Sequence, residues 1–373
     1  MPIIVNTGKL INFITGIQGV SPGGTATINL DLNKRYHRLD FQCKAINYTG
    51  ATAAPVVNIV GTGASATITP TIVNGVVVSV AVVAGGSGYK VGDTFTYADA
   101  TGQGFIGTVA SVSTGALTTA TVTSGGSVSP ISPASLITSV RLNVNGITLR
   151  DITPANILRI LQTVNPTVPT ALQTGELPIY FTEPSRNKNG LGELTSWDMF
   201  GQSTFQVQLG IASNVVSPQI LGSYEFDYAR NATPDKTPFL QPITQREFNL
   251  PIPAGRYDVN TLPFSWPISR VWLRGSNPGN ITQVEVYQDG NKVLEATTDQ
   301  IQEMYGAYGF ALGTNYAGNN SAAGAFDAAF ISDPDQNLGR ALKCANAFSI
   351  RVYSNVAQTL SIVQEMTPSA YAS

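Results

Sequence analysis

The segment Ile137-Thr138-Ser139-Val140 recurs as Ile281-Thr282-Gln283-Val284, 144 positions further on. At the same displacement, with no gap, Leu142 falls on Val286, Gly146 on Gly290, Leu149 on Val293, Thr153 on Thr297 and Ile157 on Ile301. Such an ordered recurrence marks a duplicated structural unit. Further on, Tyr180-Phe181-Thr182-Glu183-Pro184 matches Phe330-Ile331-Ser332-Asp333-Pro334 at 150, and Phe205 to Leu209 matches Phe348 to Val352 at 143. A chain built this way folds as two similar units in tandem.

The elements inside the repeat are β-rich. Val140-Arg141-Leu142-Asn143-Val144 alternates apolar and polar residues and runs into Asn145-Gly146; Val284 to Gln288 does the same into Asp289-Gly290. Asn-Gly and Asp-Gly accept the positive φ angles of the type I′ turn, whose twist suits two antiparallel strands. Short runs of Val, Ile, Thr and aromatics bounded by Gly, Pro and Asn fill the rest of the chain, the pattern of an all-β protein. Only two stretches read as helices, both short. Thr153-Pro154 supplies a cap and a first-turn proline ahead of Ile157, Leu158, Leu161 and Val164; Thr298-Asp299 precedes Ile301, Met304 and Tyr305.

Upstream the displacement changes. Arg38-Leu39-Asp40-Phe41 matches Arg270-Val271-Trp272-Leu273 at 232, and 232 − 144 leaves 88 extra residues in the first copy. Composition changes over the same interval: between Ile46 and Ala134 the only charged residues are Lys90, Asp93 and Asp99. This insertion carries its own repeat, with Gly63, Thr67, Ile68, Val76 and Gly85 recurring 41 residues later as Gly104, Thr108, Val109, Leu117 and Gly126. So many β-branched residues in alternation read as a small folded β-domain rather than a Gly/Ser linker. Interrupting a strand-to-strand connection, it is expected to project from the surface. The organisation expected is therefore a first unit over 1–45 and 135–231, an inserted domain over 46–134, a linker over 232–240 and a second unit over 241–373. Each unit holds enough short strands for an eight-stranded jelly roll, which answers the edge-strand problem with two sheets.

Composition excludes several functions. Charged residues are 12% of the 373, about half the usual quarter, and the formal net charge is −2, so sequence-independent binding of nucleic acid through clustered Lys and Arg is not expected. A single histidine and two cysteines 301 positions apart argue against a His-rich zinc centre, a disulfide framework and general-base chemistry on imidazole. No basic n-region precedes an apolar stretch at the start, and the apolar run Val76 to Ala84 is too short to span a membrane as a helix. The expectation is a chain made in the cytoplasm with free thiols, and not an enzyme.

Four stretches carry a family resemblance: Tyr36-His37-Arg38-Leu39 before a strand; Val140 to Gly146; Pro178-Ile179-Tyr180-Phe181-Thr182-Glu183-Pro184; and Trp197-Asp198-Met199-Phe200-Gly201 before Phe205 to Leu209. Together they resemble the corticovirus-type major coat protein, within the double-jelly-roll capsid lineage that includes tectiviruses and adenoviruses. The resemblance implies a double jelly roll and a homotrimer whose six barrels give a near-hexagonal outline. It further implies that such trimers tile the icosahedral shell of a virus, taken to be a bacteriophage. Implied partners are the chain itself, neighbouring trimers, vertex (penton) and minor capsid proteins and an internal viral membrane; the implied location is the virion, after synthesis in the host cytoplasm. The insertion departs from that compact type. Its stretch Gly85-Gly86-Ser87-Gly88-Tyr89-Lys90-Val91-Gly92-Asp93 is similar to β-repeats of phage surface and tail proteins, and implies a tower on the outer face, available for host attachment. Alternatives are a phage spike or tail-fibre protein, which leaves the large duplication unexplained, and a carbohydrate-binding jelly roll, which calls for clustered exposed Trp where Trp197, Trp266 and Trp272 are scattered.

Few residues suggest chemistry. No catalytic or cofactor-binding residue is expected. Tyr89, Lys90 and Asp93 are the candidates for exposed positions on the insertion. Asp333, Asp335 and Asn337 have the alternating spacing of a calcium loop, but Leu338 stands where the turn glycine belongs and Cys344 where a bidentate Glu would close an EF-hand; a looser calcium site is the remaining alternative to no cofactor. His37 reads as a structural histidine, Cys43 and Cys344 as small buried residues, and Glu183 with Arg186 as a surface pair.

Overall fold

Four two-residue turns organise the strands. Asn74-Gly75, Thr114-Gly115, Asn145-Gly146 and Asp289-Gly290 all have both residues at positive φ, between 48° and 83°, the type I′ geometry that the Asn-Gly and Asp-Gly sequences favour. The computed structural model describes residues 9–46, 48, 54–97, 103–164, 175–182, 195–199, 201–228, 243–313, 326–332 and 341–367. The candidates Asp333, Asp335 and Asn337, the pair Glu183 and Arg186, and the linker 232–240 lie outside these residues.

The chain begins with β1 (Leu10–Ile14), β2 (Thr25–Asn29) and the long β3 (Lys34–Ile46). Next come β4 (Ala54–Val60), β5 (Ala64–Val73), β6 (Val76–Ser87), β7 (Thr94–Tyr97), β8 (Gln103–Ser113) and β9 (Ala116–Ser127). The short β10 (Ser129–Pro130) and α1 (Pro133–Leu136) lead into β11 (Ile137–Val144), β12 (Ile147–Ile152) and α2 (Pro154–Val164). Then follow β13 (Glu176–Tyr180), β14 (Trp197–Asp198), β15 (Phe205–Ile211) and β16 (Val216–Tyr228). The remainder is β17 (Thr244–Ile252), β18 (Gly255–Val259), β19 (Ile268–Gly275), β20 (Ile281–Gln288), β21 (Asn291–Thr297), α3 (Thr298–Gly306), β22 (Ala328–Ile331), β23 (Phe348–Ser354) and β24 (Gln358–Met366).

These strands form two jelly rolls of the same plan. In the first, the sheet β1-β16-β3-β13 faces β2-β15-β11-β12; in the second, β17-β24-β19-β22 faces β18-β23-β20-β21. Alternate residues of each strand point between the facing sheets, so each roll has its own core. Tyr36, Phe41, Leu142, Trp197 and Phe205 lie in the first; Trp272, Val286, Phe326, Phe348 and Ile362 lie in the second.

The repetition extends to irregularities. The β11–β15 ladder slips between Ile137 and Ser139, and the β20–β23 ladder between Ile281 and Gln283, the same positions 144 residues on. A second shared bulge follows Leu142 and Val286. On β3, His37 is the extra residue between the pairs Tyr36–Phe226 and Arg38–Glu225; on β19, Ser269 is the extra residue between Ile268–Met366 and Arg270–Glu365. Bulges bend a strand and re-aim its side chains, so matching bulges mean matching curvature. One register differs from the sequence comparison. Tyr180 pairs with Arg38 and Ile331 with Arg270, so Tyr180 corresponds to Ile331 and not Phe330. Helices α2 and α3 are capped alike: the Thr153 and Thr297 hydroxyls accept from the backbone N–H of Asn156 and Gln300 at 3.4 and 3.3 Å.

Strands β4 to β9 form a separate sheet, ordered β6-β5-β4-β7-β8-β9, around a core of Ile68, Phe95, Tyr97, Phe105 and Leu117. Its two hairpins are related by 40 residues at their turns, Asn74-Gly75 to Thr114-Gly115, not by 41. With side chains alternating between faces, that one-residue difference decides which residues point inward. Thus Val77, not Val76, is the counterpart of buried Leu117. Strand β6 lies against β9, and the approach is close. A Cβ on Gly85 would overlap the Leu117 carbonyl, and one on Gly125 the Val77 carbonyl. The chain leaves the first roll at the end of β3, after Ile46, and returns at Ser129, which pairs with Ala45 of β3.

Candidate assembly surface

The two rolls are joined along a seam. Strand β12 pairs in parallel with β17 through Arg150–Gln245 and Asp151–Arg246, so one sheet of each roll merges into a single eight-stranded sheet, β2-β15-β11-β12-β17-β24-β19-β22. Arg150 is buried at the seam. Its Nε donates to the Ile243 carbonyl at 3.2 Å and one terminal nitrogen to the Tyr180 carbonyl at 2.9 Å, tying the second roll to the first. The guanidinium also lies over the Phe181 and Trp197 rings, 5.2 and 5.3 Å from their centroids. Gln245 donates onward to Glu365 Oε1 at 2.9 Å, and Glu365 is ion-paired with Arg270, both side chains fully buried.

Helix α2 covers the outer face of the second roll. The Thr153 N–H and hydroxyl donate to Glu247 Oε2 at 2.8 and 2.9 Å, and Asn156 Nδ2 donates to Ser361 Oγ at 3.1 Å. Ile157, Ile160 and Val164 of α2 pack against the second core. Proline at the first turn and apolar residues at helical spacing, the two signals legible in the sequence, place this helix across the seam.

Among the described residues, no helix covers the equivalent face of the first roll. Strand β1 is the edge of its sheet, and Ile11 and Phe13 are 70% and 77% exposed with Leu221 of β16 beside them at 57%. Phe13, Leu221, Asp40, Gln42 and Glu176 line a groove of about 440 Å³. At the other end of the chain β21 is likewise a sheet edge, and Met304 of α3 and Tyr308 in the turn after it are exposed. Contiguous exposed apolar surface at an unpaired edge marks a contact site. The sequence held no sign of this, because Ile11 and Phe13 read like any strand residues.

The insertion residues separate. Lys90 is exposed and Asp93 half-buried; the Lys90 N–H donates to Asp93 Oδ2 at 2.9 Å, closing the loop between β6 and β7. Tyr89 corrects the expectation, being 2% exposed and part of the insertion core. Its ring fills the space where a Cβ on Gly63 would stand, and its hydroxyl accepts from the Ala66 N–H at 3.3 Å. In a Gly-rich loop a large ring is the only available filler, so it turns inward.

His37 is buried, with Nδ1 2.8 Å from Thr182 Oγ1 and Nε2 3.4 Å from Asp227 Oδ2. Arg35 Nε also donates to Asp227 at 2.8 Å. Burial would raise the Asp227 carboxyl, but hydrogen bonds from Arg35 and His37 and their charge outweigh it and hold it at about 2. Cys43 sits in the first core and Cys344 against the second, both as free thiols; burial pushes Cys43 up to about 12 and, with help from Asp289, Cys344 to about 11. Trp197 and Trp272 are fully buried and Trp266 packs on the second core, so the tryptophans form no exposed sugar platform. Among the described residues no three His, Cys, Asp or Glu side chains gather as a metal site would require.

No protein-family model matches the chain, and no curated protein matches it in sequence. Solved structures do. The major capsid protein P2 of bacteriophage PM2 superposes with a TM-score of 0.61 over 97% of both chains, at 10% identity. The STIV major capsid protein gives 0.53 over 98% of both, at 10% identity. The Faustovirus major capsid protein gives 0.50 over 99% of this chain and 92% of its own, at 9% identity. The fold is the double jelly roll of viral major capsid proteins.

Proposed function

We propose that this chain is the major capsid protein of an icosahedral virus and resides in the virion shell. The observation that carries the reading is the repetition of two rolls in one chain, down to three shared bulges, in a fold shared end to end with the PM2 and STIV capsid proteins. A shell needs many identical side-to-side contacts, and the sparse charge of this chain lowers the desolvation cost of burying them. The assembly unit is a homotrimer with six rolls, near-hexagonal in outline, meeting neighbouring trimers through heterologous contacts. Vertex and minor capsid proteins and an underlying membrane are its further partners, a bacterium its host, and its role structural rather than enzymatic.

The division into 1–45 with 135–231, the insertion 46–134, the linker 232–240 and the second roll 241–373 belongs to the same proposal, with the insertion as an outward tower for host attachment. Its support is the paired exit and return at Ala45 and Ser129. The test is light scattering and electron microscopy of the purified protein and its particles. Trimers and pseudo-hexagonal capsomers are expected, and a monomer at working concentration overturns the reading. Replacing 46–128 by a two-residue Asn-Gly turn should leave trimers intact and abolish adsorption to host cells; unimpaired adsorption refutes the attachment role.

A further inference from the structure

Two turns share nearly the same sequence, Val73-Asn74-Gly75-Val76 in the insertion and Val144-Asn145-Gly146-Ile147 in the first roll. Both are type I′, with Asn74 at φ +52° and Asn145 at φ +53°. Backbone and flanking chemistry are therefore matched, and the side chains differ only in how they are held. Asn145 is pinned. Its Oδ1 accepts from the Ser203 N–H at 2.8 Å, the Ser203 hydroxyl at 2.9 Å and the Thr204 N–H at 3.3 Å. Its Nδ2 donates to Gln202 Oε1 at 2.6 Å. Asp289, in the matching turn of the second roll, is held by the N–H groups of Ala345, Asn346 and Ala347. Asn74 is exposed, and among the described residues neither its carboxamide nor the Gly75 N–H has a hydrogen-bond partner.

We propose that Asn74 is a deamidation site, converted without an enzyme to aspartate or isoaspartate on an exposed turn of the insertion. Asparagine is among the thermally labile side chains, and a following glycine brings no Cβ to obstruct attack. The Gly75 amide nitrogen gives up its proton to water and attacks the side-chain carbonyl carbon of Asn74. A C–N bond forms, the carboxamide nitrogen leaves as ammonia, and a cyclic succinimide results. Water then opens the ring at either carbonyl, giving aspartate or isoaspartate. Each conversion consumes a water and releases an ammonia, with nothing oxidised or reduced. Ring closure requires the asparagine to leave its turn conformation, a cost that Asn74 and Asn145 share. Asn145 must in addition break its bonds to Gln202, Ser203 and Thr204, which stabilise the unreacted form. The product at Asn74 is a new carboxylate in a segment whose only charges are Lys90, Asp93 and Asp99. The sister turn Thr114-Gly115 has the same form, and its Gly115 carbonyl accepts from the Tyr89 N–H as the Gly75 carbonyl does from Tyr48. Its threonine has no amide to lose. The proposal goes beyond the capsid reading and stands without it.

The experiment ages the purified full chain in warm, mildly alkaline buffer and reads each Asn-Gly peptide by mass spectrometry, with isoaspartate and aspartate forms separated by chromatography. Asn189-Gly190 lies outside the described residues and is read on its own peptide. In the folded chain Asn74 should convert at least about tenfold faster than Asn145, the ratio that about two net hydrogen bonds supply. In urea both turns unfold, and the two rates should agree within about twofold because the local sequences match. Gln202→Ala with Ser203→Ala removes two of the four bonds on Asn145; it should speed conversion there and leave Asn74 unchanged. Asn74→Thr, the residue of the sister turn, should keep the hairpin and abolish conversion at this position. Equal rates in the folded chain, or Asn145 ahead, overturn the proposal. So does an intact Asn74 after the time in which the chain in urea converts.

Discussion

Replacing Arg150 by leucine, the residue that the second copy carries at the same position, tests what holds the two rolls together. Arg150 is 4% exposed and spans the seam with hydrogen bonds to the Ile243 and Tyr180 carbonyls. A hydrogen bond from a charged donor contributes about 1.5–3 kcal/mol, so two give roughly 3–6 kcal/mol. Stacking on Phe181 and Trp197 adds about 1 kcal/mol. Burial of the leucine offsets about 2 kcal/mol, leaving a net loss of about 3 kcal/mol, on the order of a hundredfold in the opening equilibrium. Hydrogen exchange at the paired strands Arg150–Asp151 and Gln245–Arg246 reads that opening directly. Protection there should fall about a hundredfold while the cores around Phe41 and Ile362 keep theirs. Protection within about threefold of the natural chain would mean that α2 packing alone carries the seam, and the reasoning fails.

Asp227→Asn removes a carboxylate whose folded value, about 2, lies below the ordinary 3.8. That depression contributes about 2 kcal/mol above pH 4, lost as the pH falls through about 2, so urea titrations should show the acid loss in the natural chain and not in the variant. Tyr89→Ala empties part of the insertion core and should cost about 3–4 kcal/mol, seen as exchange of residues 54–97 and 103–127 with both rolls unchanged. Asn145 holds φ +53° and its side-chain oxygen accepts from the Ser203 N–H at 2.8 Å; Asn145→Ala should lower stability by about 1–2 kcal/mol, whereas Asn145→Asp, the residue at the matching position 289, should be neutral in thermal melts.

The duplication was legible because turn chemistry punctuates it. Asn145-Gly146 and Asp289-Gly290 fix equivalent points, and Asp289 accepts from the N–H groups of Ala345, Asn346 and Ala347 much as Asn145 accepts from Ser203 and Thr204. Registers were less legible where bulges intervene. The bulged His37 and Ser269 carry no mark in the sequence, and matching by residue type put Tyr180 on Phe330 and Val76 on Leu117, one place off. Tyr89 was misread because a Gly-rich setting suggests exposure when it actually leaves a hole to fill. The exposed apolar face beside β1 was invisible for a different reason. Exposure of Ile11 and Phe13 depends on what covers a sheet edge, and only comparison of the two rolls reveals it, because among the described residues α2 lies on one and no helix on the other.

Ala45 and Ser129 stand opposite each other on adjacent strands, about 5 Å apart at Cα. The rolls therefore register only that two neighbouring ends are bridged, not what bridges them. Any foreign module with its termini that close could be grafted at this port without retuning the scaffold, and a particle carrying one graft per chain would become a dense display platform.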